Sequence, residues 1–383
     1  MKSIHLLKSL VLLSILYFPL AIKQIDIVFT SGESVKPGEY SYVKIWTDTC
    51  GNQSILKKLS ASWSETMRVF DEINNYYSNS FGFKKPILNV YRDFKMDICG
   101  ISPWPDKVIL GEKGWLFVGN YYSNGIKEAV RMDTFDDRQL ATIRNNYRNF
   151  ETWRKKQGFA FYIAITPDKP SVYGDYLPII KSVRPGKLDQ LKKNFSSIGI
   201  EVIDLKDNFP IKKSIRLFHK TDSHWNDAGA FLGYQVLISR IKKDFPDIPE
   251  HSFNEYTIDS AIQDKGDLSW MLTKKIQENW ITLKPIYIEN IDKKPNQFKV
   301  PDYFKGMPGE YEIRLENPER KYSILIFRDS FLTSMIKFFA NDFKSELFLW
   351  NPISRDMILK TKPDIVVYET NERALDLFTY FPY

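Results

Sequence analysis

Apolar runs too short to be helices alternate, through much of this chain, with segments whose apolar positions recur every three or four residues. Phe159–Ile165 (FAFYIAI), Tyr322–Phe327 (YSILIF), Glu346–Trp350 (ELFLW) and Asp364–Glu369 (DIVVYE) are almost continuously hydrophobic. Such runs suit strands covered on both faces. Gly199–Leu205 (GIEVIDL) reads as another strand. Leu140, Ile143, Tyr147 and Phe150 keep helical spacing up to Gly158, and Phe331–Asn341 and Arg355–Thr361 read as helices. Strands alternating with helices predict crossover connections, a mainly parallel sheet and helices on both its faces: an α/β sandwich of three layers. Reactive groups on such sheets collect beyond the carboxyl ends of the strands. Upstream, DKVILGEKGWLFVGN (Asp106–Asn120) reads as a hairpin with Gly111 and Gly114 in its turn.

The pattern divides the chain into a core domain over 104–383 and a lead-in over 24–103 expected to pack on it. In the lead-in, ASWSETMRVFDEINNYYSNSF and FGFKKPILNVYRDF read as helical stretches. Residues 251–320, rich in Lys, Pro and Asn, read as an irregular insertion. Residues 1–23 differ again. Lys2 and Lys8 precede the apolar run Ser9–Ile22, and Lys23 follows it. This is the layout of a secretory signal or an uncleaved anchor, although the run is shorter than the ~20 residues of an ordinary spanning helix. The absence of a small-x-small cleavage site favours the anchor, and a buried core helix is the competing reading. Either export reading puts the rest of the chain outside the cytoplasm, in the periplasm or an equivalent space. There Cys50 and Cys99 could pair, or remain as two free thiols.

Composition narrows the picture further. With 43% hydrophobic and 15% aromatic residues in 383, the chain can bury a sizeable core. Its 54 Lys and Arg against 47 acids give a formal charge of +7. The basic residues are scattered, and the longest run, Arg154–Lys156, falls on a helix as a solvated face. No basic stripe interleaved with aromatics appears, so nucleic acid is not an expected partner.

The candidate chemistry lies in two short stretches. In ILIFRDSF, Ser330 sits just past an apolar strand where a helix begins, so that the helix amides and dipole face its oxygen. A serine in that position is also a common N-cap, and as a nucleophile it needs a base within hydrogen-bond reach. The chain has four histidines, His5, His219, His224 and His251. Only His224, in KTDSHWNDAGA (Lys220–Ala230), has an acid at close spacing and a helix-start residue, Asn226, soon after it. In an extended segment Asp222 and His224 would project from one face. Asp222 could then orient one ring nitrogen while the other faces Ser330, and chain order is no obstacle to such a trio. The same two residues could instead be a polar turn, or two of three metal ligands with His219, although no further His or Cys cluster supports a metal.

Beyond these two stretches, the chain resembles the SGNH-hydrolase-like domain of the alginate O-acetyltransferase family over about residues 80–383. VILGEKGWLFVGN is similar to that family's Gly-Trp-Leu-Phe opening, and TPDKPSVYGDYLP (Thr166–Pro178) to its Pro-x-Lys, Tyr and Leu-Pro segment. KTDSHWNDAGA resembles its Asp-x-His-Trp-Asn motif, and GDLSWML (Gly266–Leu272) a Gly-Asp-Leu segment. RDSF resembles its Gly-Asp-Ser-Phe nucleophile block, and ETNERAL (Glu369–Leu375) its closing Glu-x-Asn-x-Arg stretch. The resemblance implies Ser330 as nucleophile, His224 as base and Asp222 as its orienter. It implies an exported enzyme that acetylates hydroxyls of an exopolysaccharide, supplied by a membrane-bound O-acyltransferase, with no cofactor or metal. An acetyl esterase, or a non-catalytic polysaccharide-binding or assembly protein, would use the same fold. The Ser330 amide with Asn371 or Arg373 would hold the oxyanion. Arg328 stands where the family has glycine, adding bulk and a positive charge that could bind an anionic sugar.

Overall fold

The computed structural model describes residues 84–380, apart from 122, 180–183, 208, 210–214, 287–291 and 341. The chain divides into two compact units between Ile98 and Cys99. In the first, the described part is a helix, Lys84–Asp93, running into a π-helical turn, Phe94–Ile98. No helix among the described residues is long and apolar enough to cross a membrane. The export segment and the first lead-in helix lie outside those residues. So does Cys50, while Cys99 is exposed.

The second unit is built on one sheet. Strands β1 (Val108–Leu110) and β2 (Leu116–Val118) form the expected hairpin, separate from it. Strands β3 (Ala160–Thr166), β4 (Val202–Asp204), β9 (Ser323–Phe327), β10 (Ser345–Leu349) and β11 (Ile365–Asn371) are parallel, in the order β4-β3-β11-β9-β10. Residues 251–320 are more regular than their composition suggests. They hold a long hairpin, β5 (Tyr256–Gln263) with β6 (Glu278–Pro285), and they also supply β7 (Asp292–Lys293) and β8 (Glu312–Glu316). Strand β8 runs antiparallel to β10 and β7 antiparallel to β8, so this segment completes the sheet's far edge. The sheet is mainly parallel with an antiparallel margin.

Period-two alternation explains how both faces fill. Ile324, Ile326, Ile365 and Val367 join one buried cluster with helix α3 (Asp227–Lys242). Leu325, Phe327, Val366 and Tyr368 join the other, with α1 (Asp137–Gln157), α2 (Lys187–Ser196) and α5 (Arg355–Thr361). Helix α1 starts on a capping box, Asp136 with Gln139, and stops at Gly158, whose φ of 82° suits glycine. The helix expected over Phe331–Asn341 breaks into a 3-10 turn, Phe331–Ser334, and a single α turn, Ile336–Phe339. Phe331, Leu332, Met335, Ile336, Phe338 and Phe339 are all buried, so core packing rather than helical propensity sets that path.

Near the amino end of β10, His251 ties α3 to the turn before β5. Its Nε2 lies 2.9 Å from Asp342 and its Nδ1 2.6 Å from Glu255, while the Tyr234 hydroxyl donates to Asp342 at 2.6 Å. The bond to buried Asp342 outweighs desolvation and raises His251 from 6.5 to about 9. The folded protein therefore holds this proton more tightly than the unfolded chain. The resulting stability is complete below pH 6.5 and is lost as pH rises through about 9. The thermal midpoint of the parent should exceed that of His251→Gln by a margin that shrinks between those pH values. A margin constant with pH would contradict the assignment.

Candidate active site at the carboxyl rim of the sheet

Strand β9 ends beside β11, and Asp329 and Glu369 link the two strand ends. The Arg328 amide donates to Leu349 O at 2.9 Å, extending the β9–β10 ladder by one residue. The Asp329 amide then donates to Glu369 Oε2 at 3.0 Å, and the Asp329 carboxylate accepts from the Phe331 amide at 2.8 Å. Burial raises both carboxyls, and the Asp329 charge adds to the rise at Glu369. This bracing turns the chain sharply at Ser330, which has helical φ and ψ of −67° and −26° and makes no side-chain cap bond. The hydroxyl is therefore not spent as an N-cap. It lies 2.9 Å from His224 Nε2.

Phe218 and Trp225 form an isolated antiparallel bridge, and the residues between them turn back on themselves. Asp222 Oδ1 accepts both the His224 amide, at 2.9 Å, and its Nδ1–H, at 2.8 Å. The segment is a tight bend, so the acid reaches its histidine across a turn and not along the face of an extended strand. Asp222 is acceptor-only when ionised, so Nδ1 carries the proton and Nε2 is left to accept from Ser330. Desolvation opposes the ionised form of Asp222, but the His224 bonds prevail and hold it far below the usual carboxyl range. The residue after His224 secures the encounter: buried Trp225 donates from Nε1 to Phe331 O at 2.9 Å. Helix α3 can lie against that indole because residue 233 is glycine, where a Cβ would meet the Trp225 ring at 2.8 Å.

Three residues outside the Asp222–His224–Ser330 line support this bend. Glu278 accepts from the Thr221 amide at 2.8 Å and the Lys220 amide at 2.9 Å. Lys169 is buried, donates to Leu116 O at 2.9 Å and Lys220 O at 3.2 Å, and is lowered by desolvation to about 8. Asp267 bonds Ser223 through both carboxylate oxygens. The signal for two of them lay in the PDK and GDL motifs. Nothing in the sequence singled out Glu278, because its partners, the Lys220 and Thr221 amides, the Thr221 hydroxyl and Arg216, lie 57 or more positions away.

The family-model comparison matches residues 108–303 to the SGNH hydrolase-like domain of the acetyltransferase AlgX. The chain belongs to this family. The matched segment is just over half the chain and ends before Ser330, whose place is given by the geometry above. Among solved structures, the fold is similar to Bacillus cereus PatB1 at TM-score 0.52 and 19% identity, over 70% of this chain and 97% of that one. It is also similar to Bacillus cereus PatB1 with a sulfonyl adduct, at TM-score 0.51 and 20% identity, over 72% and 97%. No curated protein matches the chain.

The remaining sequence candidates of this SGNH-like acetyltransferase fall in different places. The Arg328 guanidinium is fully enclosed. It donates to Thr333 Oγ1 at 2.8 Å, Glu310 O at 2.5 Å and Asp329 O at 3.1 Å, with its face 4.9 Å from the Trp350 ring centre. So placed, it ties the Ser330 turn to the neighbouring loop and has no face open to an anionic sugar. Asn371 donates through its amide and Nδ2 to Asp329 Oδ2, at 2.9 and 2.6 Å, leaving one side-chain N–H. Arg373 Nη2 donates to Asp168 at 2.7 Å and reaches Ser223 O at 3.4 Å. It also lines a cleft of about 520 Å³ with Asp168, Ser171, Lys206 and Glu372, beyond the ends of β3, β4 and β11. Ser330 and His224 are both half-buried at the protein surface, the His224 side chain being 30% exposed.

His219 does not join the site as a third ligand. It stacks on Trp280 with ring centres 3.4 Å apart, and burial lowers it to about 3. Asp222, His224 and Asp267 do gather donors at metal-like spacing. Their atoms are already engaged with one another, with Ser223 and with Ser330. At Glu128, Asp133 and Asp376, the Lys187 ammonium already occupies the centre at 2.7–2.8 Å.

Proposed function

We propose that this acetyltransferase loads an acetyl group on Ser330 and passes it to a hydroxyl of an exported polysaccharide. The observation that carries the reading is the unbroken line from Asp222 through His224 to Ser330, with bonds of 2.8 and 2.9 Å. Ser330 Oγ attacks the donor carbonyl as its proton passes to His224 Nε2, and Asp222 stabilises the imidazolium. The collapsing tetrahedral adduct expels the donor's leaving group, which takes that proton. An acceptor hydroxyl next gives its proton to His224 and attacks the acetyl ester, and His224 passes that proton to the departing Ser330 Oγ. The Ser330 amide, the remaining Asn371 N–H and Arg373 are the donors for the oxyanion.

A half-buried serine that still reaches the surface, rather than one sealed in a cavity, can meet a chain-like acceptor, which supports a polymer substrate. The N-terminal sequence supports an extracytoplasmic, membrane-anchored setting, in which a membrane-bound O-acyltransferase is the acyl supplier. The same exposure admits water, so hydrolysis of acetyl esters is the competing outcome of the same acyl-enzyme. The protein should be incubated with a chromogenic acetyl ester and quenched for intact-mass and peptide analysis. One added acetyl group on the Ser330 peptide is the expected result, discharged faster by oligosaccharide than by buffer. Turnover with the label on another residue would overturn the reading, and discharge indifferent to oligosaccharide would make the protein an esterase.

A further inference from the structure

We propose that Asp267, outside the Asp222–His224–Ser330 line, is the positioning residue of the proton relay, a second carboxylate that fixes the histidine and shares the charge it acquires. The inference rests on the acyl-transfer reading and deepens it. Asp267 opens the short helix α4 (Asp267–Met271), carried by the segment between β5 and β6. The amides of Leu268 and Ser269 both donate to Thr221 O at 3.1 Å, fastening that helix to the bend.

Three contacts then place Asp267 in the relay. Its amide donates to Asp222 Oδ2 at 3.0 Å, while Asp222 Oδ1 is taken by His224, so the orienting carboxylate has both oxygens fixed and cannot rotate. Its own Oδ1 accepts the Ser223 amide at 2.6 Å, and its Oδ2 accepts the Ser223 hydroxyl at 2.6 Å. That hydroxyl stands 3.3 Å from His224 Nδ1, and Asp267 Oδ2 itself stands 3.8 Å from the same nitrogen. Asp267 therefore acts through Ser223 and through its charge, without touching the reacting atoms.

The charge matters because Nε2 gains a proton during the reaction. Facing the imidazole are Asp222 from its own bend, Asp267 from α4, Asp329 from the Ser330 turn and Arg373 from beyond β11. Lys169 and His219 interact electrostatically with Asp222. Burial lowers the proton affinity of His224, but Asp222 and then Asp267 outweigh burial and Arg373, and the net direction is upward. An opposite charge within about 4–6 Å ordinarily supports such a rise.

Asp267→Asn keeps the shape and an acceptor for the Ser223 amide while removing the charge. In the full chain, NMR titration of His224 should move to lower pH by about one unit. The acid limb of ester turnover should move with it, because the base must be neutral, and kcat should fall about tenfold with little change in KM. Ser223→Ala removes the bridge but leaves the charge, so it should lower kcat while moving the titration by less than half as much. An unmoved His224 titration in Asp267→Asn, a loss uniform across pH, or parental turnover in Ser223→Ala would each overturn the proposal. If the parent shows no Ser330-dependent turnover, the acyl-transfer reading falls instead, and the titration still decides whether Asp267 governs His224.

Discussion

Ser330→Ala should leave a folded protein whose turnover of a chromogenic acetyl ester is at least about a thousandfold below the parent's. Loss of a nucleophile removes the covalent route altogether, so residual activity comes only from whatever oxyanion donors and binding remain. The fold should be indifferent to the change. The Ser330 side chain bonds His224 and caps nothing, and the bracing of its turn runs through Asp329, Glu369 and Asn371. Steady-state kinetics beside a thermal melt check both halves. A variant that keeps more than about a tenth of the parental rate would remove Ser330 from the mechanism.

Gly266→Ala should damage activity and stability together, without touching a reacting group. A Cβ at residue 266 would meet Thr221 O at 2.3 Å and Thr221 Oγ1 at 2.4 Å. Neither can withdraw easily. Thr221 O accepts the two α4 amides, and the hydroxyl and amide of Thr221 are held by Glu278. The added methyl must therefore push α4 away from the bend. Overpacking of this kind destabilises by about 1–3 kcal/mol, and a shift of about 1 Å at the histidine is enough to lower kcat about a hundredfold. The expected result is a reduced thermal midpoint with kcat down and the Ser330 acetyl label slow to form. Parental kcat at a temperature where the variant is fully folded would show that the helix does not hold the histidine in place.

Much of the scaffold was legible in the one-dimensional pattern. Strands buried on both faces must be apolar at nearly every position, and β3, β9, β10 and β11 satisfy that within a residue or two of the expected ends. The hairpin β1–β2 and helix α1 with its terminating glycine were equally plain. The segment 251–320 misled because its hairpin is solvent-exposed over most of β5, where the burial that marks a strand is missing. The segment after Ser330 misled in the opposite sense: Thr333, Ser334 and Lys337 leave a polar side at helical spacing, yet the buried residues around them settle into a 3-10 turn and a single α turn.

Within the site, sequence alone brought out Ser330, His224 and Asp222, because a scarce histidine beside an acid and a serine at a strand end are local features. It also placed Arg328, Asn371 and Arg373 near them. It could not assign their bonds, and the enclosed Arg328 guanidinium shows why: whether a cation faces solvent or a Trp350 ring depends on a loop some distance along the chain. The chain's own pattern thus determined the layers, the rim and the three side chains of the candidate site. The fold alone decided that residues 106 positions apart meet at 2.9 Å. It alone decided, too, that the intervening strap supplies Asp267 and Glu278 to grip the histidine's turn. Hydrophobic periodicity is written in neighbouring residues, whereas hydrogen bonds between distant backbone amides and lone carboxylates leave no periodic trace.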